Sequence, residues 1–200
     1  LDQLAAQALF DGTTWTVPRA TLRTGPGEVA LQGSWSPAPA PWQVNATVRN
    51  LSPATLHTQL APAALSGTAK ASQAGDVLAF DVAINSATKA SAPPRTLRLD
   101  SVVAQGQWGR DILTLKNLRI LADQAQVQAQ GQVTTTPATA TTATSVAAVK
   151  GQLSATVPGA QARLDGTMAP TQGAGTLDVT LADAGKAQRW VESLPGLAGS

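Results

Sequence analysis

Two hundred residues carry 14 basic and 12 acidic side chains, a net charge of +2, and no cysteine, which excludes disulfides, thiolate metal sites and cysteine nucleophiles. The pI is near 9.4, yet the five Lys and nine Arg are scattered singly, without the cluster that tracks a phosphate backbone, so no nucleic acid partner is expected. Alanine fills 38 positions while Leu, Ile, Val and Phe together fill only 42, and with so small a net charge this predicts a folded chain whose core is extended and thin.

The chain opens at Leu1 with no initiator Met, secretory signal or membrane span, and reads as a piece of something longer. Leu1, Leu4, Ala5, Ala8 and Leu9 fall at helical spacing, which predicts a short amphipathic helix stopped by Asp11-Gly12. Strands are expected over residues 13–19, 28–35 and 42–49, separated by Gly25-Pro26-Gly27 and by an extended, unpaired proline loop, Pro37 to Pro41. Ser52-Pro53 places an N-cap before a first-turn proline and predicts a helix over 54–60, which would hold His57, the only histidine. Strands follow at 65–71 and 76–85, the second with Leu78, Phe80, Val82 and Ile84 on one face and Ala79, Asp81, Ala83 and Asn85 on the other.

From Leu97 to Val133 the chain reads as strand, turn, strand, turn, strand. Leu97 and Leu99 flank Arg98, Leu113 and Leu115 flank Thr114, and Val127, Ala129, Gly131 and Val133 alternate with mostly Gln, so one face is apolar and the other wet. Gly109-Arg110-Asp111 and Ala122-Asp123 are short enough for hairpins, which makes an antiparallel meander. Residues 134–146, almost wholly Thr and Ala, are read as a mobile loop. Strands resume at 146–157, 161–168 and 175–181, and Asp183 is placed to cap a helix of about 184–193, so that 183–194 forms a short C-terminal helical element. The whole is expected to be one β-rich segment, 1–200, of about eleven strands with two or three short helices.

One phrase recurs: an apolar alternation closing on a glycine, at Gly33, Gly67, Gly106, Gly131, Gly151 and Gly166. The intervals are irregular, which argues against a fixed-period solenoid. A glycine inside a strand marks a bend, a bulge or a close approach. Such bends would curve a long sheet. A sheet of this length, about 50 Å across its strands, folded lengthwise along those glycines, would enclose an apolar trough wide enough for an acyl chain. The competing reading is an ordinary sandwich core, against which stand the absence of Tyr and of a Cys-Trp-Cys pattern. Catalytic constellations are absent: nothing near His57 resembles a nucleophile elbow, no second histidine exists, the Asp residues sit at turns or on wet faces, and Gly173-Ala174-Gly175 lacks the Lys and helix of a phosphate loop. The chain reads as a non-enzyme with no cofactor.

Three stretches, GAGTLDVTLADAGKAQRWVESLPGL, VRNLSPATLHTQLAPAALSGTAKA and SVVAQGQWGRDILTLKNLRILADQAQVQAQGQV, resemble the periplasmic region of the TamB-type translocation and assembly module proteins of the AsmA-like superfamily. The resemblance implies an all-β fold, a long curved meander forming a β-taco or half-open groove. It implies a periplasmic location, with an inner-membrane anchor outside this sequence. It also implies a role in moving phospholipids toward the outer membrane, or in assembling autotransporters and other proteins there, with an outer-membrane Omp85-type barrel (TamA-like) met through the full-length protein. No catalytic residue is implied.

On this reading the groove, which would take phospholipid or another apolar ligand, is lined by Val44, Val48, Leu78, Phe80, Val82, Ile84, Leu97, Leu99, Leu113, Leu115, Val127, Leu153, Leu164, Leu177, Val179 and Leu181. Trp35 and Trp42 share these faces by alternation. Two other functions fit the pattern: a scaffold that binds unfolded outer-membrane protein or autotransporter clients by β-augmentation, and a structural β-repeat of a secreted adhesin with a closed core.

Overall fold

The computed structural model describes residues 2–37, 41–55, 60–88, 97–136, 145–169 and 172–191. Their strands are β1 (Gln3–Phe10), β2 (Trp15–Thr24), β3 (Gly27–Trp35), β4 (Trp42–Leu51), β5 (Leu65–Ala74), β6 (Val77–Ser86), β7 (Leu99–Gly109), β8 (Ile112–Ala122), β9 (Ala125–Thr136), β10 (Ser145–Val157), β11 (Ala160–Ala169) and β12 (Gln172–Leu181). Sheet order equals chain order from β1 to β12. Each strand pairs antiparallel with the next, so the fold is an all-β meander in one open layer, a half-open surface that does not curl on itself. At about 4.8 Å per strand its edges stand roughly 53 Å apart.

Tight turns make this possible. Arg110-Asp111 and Asp123-Gln124 have both residues at positive φ, 51° and 65° in the first and 48° and 73° in the second. That is the primed hairpin turn whose twist suits the flanking strands. Gly75 and Gly159 supply positive φ, 59° and 87°, in two other connections.

The opening segment corrects the helix expected over 1–10: it is β1. An isolated helix of that length is marginal in water, whereas the edge of β2 offers a full ladder from Gln3 opposite Arg23 to Phe10 opposite Trp15, with a bulge between Gln7 and Leu9. The same residues satisfy strand alternation, with Leu4, Ala6 and Phe10 on one face. Of the helix expected over 54–60, residues 56–59 lie outside the described residues; on either side a 3-10 turn forms at Pro53–Thr55 and Leu60 joins a parallel bridge to Leu97. His57 lies outside the described residues. Of the loop expected over 134–146, residues 134–136 instead extend β9 and residues 145–146 belong to β10, while 137–144 lie outside the described residues. The last helix does form, as α1 (Ala184–Val191). The carboxylate of Asp183 accepts the backbone N–H of Lys186 at 3.1 Å, satisfying an amide of the first turn as an N-cap should.

Because the sheet is a single layer, its buried core is a strip at one end of the strands rather than a slab. Val48, Ala61, Ala63, Leu65, Ala122 and Ala125 are buried, as is Pro53. The segment 60–64 is tied there by Ala61 N–H to the Leu97 carbonyl at 2.9 Å, by Ala87 N–H to the Ala64 carbonyl at 3.1 Å, and by Ala64 N–H to Thr88 Oγ1 at 2.9 Å. On the same end Arg98 Nε donates to Asp100 at 2.6 Å while the Asp123 amide donates to the other Asp100 oxygen at 3.0 Å. That hydrogen bond to Asp100 raises the Arg98 guanidinium above its ordinary value.

Candidate functional site: the apolar face of the sheet

Register decides which side chains share a face, and here it aligns the apolar ones across all twelve strands. Following pair to pair, the row through Phe80 runs Val17, Gly33, Val44, Ala71, Phe80, Gly106, Leu115, Gly131, Gly151, Gly166, Gly175. One row further along the strands lie Ala6, Ala20, Leu31, Ala46, Ala69, Val82, Ala104, Leu118, Ala129, Leu153, Leu164 and Leu177. The next holds Leu22, Val29, Val48, Gly67, Ile84, Val102, Ile120, Val127, Ala155, Ala162 and Val179. None of these positions is charged.

This face is open. Of the large apolar side chains that are exposed, all but Leu9, Val77 and Ile112 ride on it, and Leu177, Val179 and Leu181 of β12 keep 66%, 67% and 59% of their surface in solvent. Single exposed hydrophobes are ordinary, but a contiguous apolar area of this size marks an interaction surface.

On the opposite rim from the buried strip, Phe10, Trp15, Trp35, Trp42, Trp108 and Met168 stand at one level of the strands. Phe10 stacks on Trp15 at 4.8 Å between ring centroids, and the Trp42 indole N–H donates to Gln73 at 2.5 Å.

The four glycines from β9 to β12 leave a strip of bare backbone. A Cβ on Gly151 would stand 2.8 Å from the Gly131 Cα, and one on Gly166 would stand 2.7 Å from the Gly175 Cα, so neighbouring strands approach too closely here for any side chain. Val133, Val149 and Met168 rise along one side of the strip, and Ala129, Leu153, Leu164 and Leu177 along the other. Together they enclose a trough of about 550 Å³ with an overwhelmingly apolar lining, in the size range of small-molecule sites.

The reverse face is polar and cross-linked. Gln130 donates to Gln152 at 3.0 Å, Gln152 to Asp165 at 2.9 Å and Gln105 to Asp81 at 2.9 Å. The carboxylates with a depressed pKa lie at the ends of strands: Asp11 is lowered chiefly by the amides of Thr14 and Thr13, and Asp183 chiefly by the amide of Lys186.

Of the residues expected to line a groove, Val44, Val48, Leu78, Phe80, Val82, Ile84, Leu113, Leu115, Val127, Leu153, Leu164, Leu177, Val179 and Leu181 all lie on the apolar face. Leu99 reaches it too, opposite Ala122, through a bulge before Ser101. Leu97 does not belong with them: it is outside the strands, bridged to Leu60. Val133, Trp35 and Trp42, placed on this side by alternation, lie on it as well, whereas Leu118, Ile120, Val149, Met168, Trp15 and Trp108 are members that the sequence reading did not supply. Among the described residues no three His, Cys, Asp or Glu side chains are grouped to hold a metal ion. Against protein-family models, curated proteins and solved structures the chain finds no match.

Proposed function

We propose that this chain is a segment of a lipid-carrying β-groove of the TamB-like kind, and that its apolar face is the path on which acyl chains travel. One observation carries the reading: an uncharged apolar surface runs unbroken across all twelve strands of a single open layer. The work done is passive. Each methylene moved from water to such a surface gains about 0.8 kcal/mol, and because apolar rows continue from strand to strand, a chain that leaves one stretch of the face meets the next without a charged barrier. Headgroups stay at the rims. In this proposal the segment lies in the periplasm, belongs to an inner-membrane-anchored protein, and hands phospholipid toward the outer membrane through a barrel of the Omp85 type engaged elsewhere in the full-length protein.

The test is native mass spectrometry of the purified chain incubated with phosphatidylethanolamine vesicles. Wild type should carry bound phospholipid. Leu153→Asp, a charge on the exposed apolar side, should lose it, while Gln128→Asp on the polar face should not. Equal loading of both variants would sink the groove.

A second reading rests on β12, all ten residues of which are exposed and which, among the described residues, pairs only with β11. Its free edge offers backbone donors and acceptors to a strand of an unfolded outer-membrane client. Asp178→Pro should abolish capture of such a client and leave lipid loading intact.

A further inference from the structure

Gly106 continues the row of the four glycines toward the centre of the sheet, but it is not bare. A Cβ there would meet the Phe80 ring, its Cζ at 2.6 Å and its Cε1 at 3.0 Å. The ring of Phe80, paired with Gly106 across β6 and β7, lies over the glycine and fills the space a side chain or ligand would take. Leu115 stands on the other side of Gly106 in the same row and closes the trough. From Gly131 to Gly175 the bare floor therefore spans three strand spacings, about 14 Å. One leaflet of a bilayer gives its acyl chains about 15 Å of hydrocarbon. The floor is the length of one acyl chain.

We propose that Leu115, backed by the Phe80 ring over Gly106, is the end wall of this trough and sets the length of acyl chain it holds. The inference rests on the lipid-groove reading above and adds the selectivity of one site within it. An aromatic ring over a cross-strand glycine also stabilises a sheet, so stability alone cannot separate the two roles. Preference for chain length can, since a purely structural ring has no reason to change it.

The experiment titrates the full chain with lysophosphatidylcholines bearing myristoyl, palmitoyl, stearoyl and arachidoyl tails. For wild type, affinity should rise with tail length and level off once the tail outruns the floor. Leu115→Ala should move that plateau to a longer tail. Leu115→Ala with Phe80→Ala should move it further, each newly buried methylene adding about fourfold in affinity. Leu115→Ala with Phe80→Leu should fall between, and circular dichroism should show the same sheet in every variant. If Leu115→Ala keeps the wild-type plateau, the end wall is refuted while the groove stands, and if the doubly substituted chain moves no further than Leu115→Ala, the backing by Phe80 is refuted. If wild type takes up no lysolipid of any length, the groove itself fails. Should Phe80→Ala unfold the sheet, the Phe80→Leu pair decides alone, a plateau unmoved from that of Leu115→Ala counting against the backing.

Discussion

Between β2 and β5 the apolar face carries Trp15, Trp35 and Trp42 along one rim, beside the row Val17, Gly33, Val44 and Ala71, in which three of the four positions keep a Cβ. Between β9 and β12 the rim is aliphatic and the same row is glycine throughout. The two halves share one sheet, one register rule and one polar back, and differ in what fills that row. Val17, Val44 and Ala71 fill it in the first half, where even a Cβ on Gly33 would meet the Val44 side chain at 3.1 Å; in the second half four successive glycines leave the backbone bare and deepen the same surface into a trough. What distinguishes a site from a surface here is the loss of the side chain at four successive strands.

The comparison is broken most severely by restoring those side chains. Gly151→Val places a branched group where even a Cβ presses on the Gln130 carbonyl, so the strands must separate. The expected cost is about 3 kcal/mol, that of overpacking, together with loss of the trough. Ala71→Val, in the same row of the other half, enlarges a residue that already carries a Cβ and should stay within about 0.5 kcal/mol. Urea unfolding of the two variants measures the difference. Equal midpoints would mean that the glycine row accepts side chains as readily as the other half does.

That contrast was half legible in the sequence. The recurrent glycines signalled close approach, and Leu78 to Ile84 announced a one-sided strand from alternation alone. Neither says which glycines align. Gly33, Gly106, Gly131, Gly151 and Gly166 do fall in one row, but Gly67 falls two rows away opposite Ile84. The row is set by turn positions and bulges that leave little trace in composition. Between Leu115 and Leu118 the register shifts, so Leu118 and Ile120 join the face of Leu113 and Leu115 despite having the opposite parity. A strict period of two assigns them to the wrong side. The first ten residues failed for another reason: their spacing suits a helix and a strand equally, and pairing with β2, a tertiary interaction, decided between them.

A smaller effect sharpens the comparison by asking where a ligand rests. Trp108 stands on the rim at β7, close to the inner end of the glycine trough; Trp35 stands four strands further away, about 19 Å at the strand spacing. In variants retaining only one of these indoles, a lysolipid with a brominated tail should quench Trp108 strongly and Trp35 weakly. Equal quenching would place the acyl chain along the whole face rather than in the glycine half.

The smallest effect concerns the ends of the two halves and leaves their faces alone. Asp11 braces the turn from β1 to β2, accepting the amides of Thr13 and Thr14 at 2.9 and 2.7 Å, and Asp183 caps α1 beyond β12. Both carboxylates are held below the ordinary value of 3.8 by those amides. A group whose folded value is depressed contributes stability that is complete above its unfolded value and is lost as pH falls through the folded one. Acid below about pH 4 should therefore fray the β1–β2 turn and shorten α1. Asp183→Asn, which keeps an accepting oxygen without the titration, should remove the α1 part of the change. Helical circular dichroism followed down the pH scale checks it. Quenching of Trp108 by bound lysolipid, read in the same titration, should persist while α1 unwinds, because no Asp or Glu borders the trough; coincident loss of both signals would instead tie the trough to α1, which sits against the β10–β11 turn at Gly159.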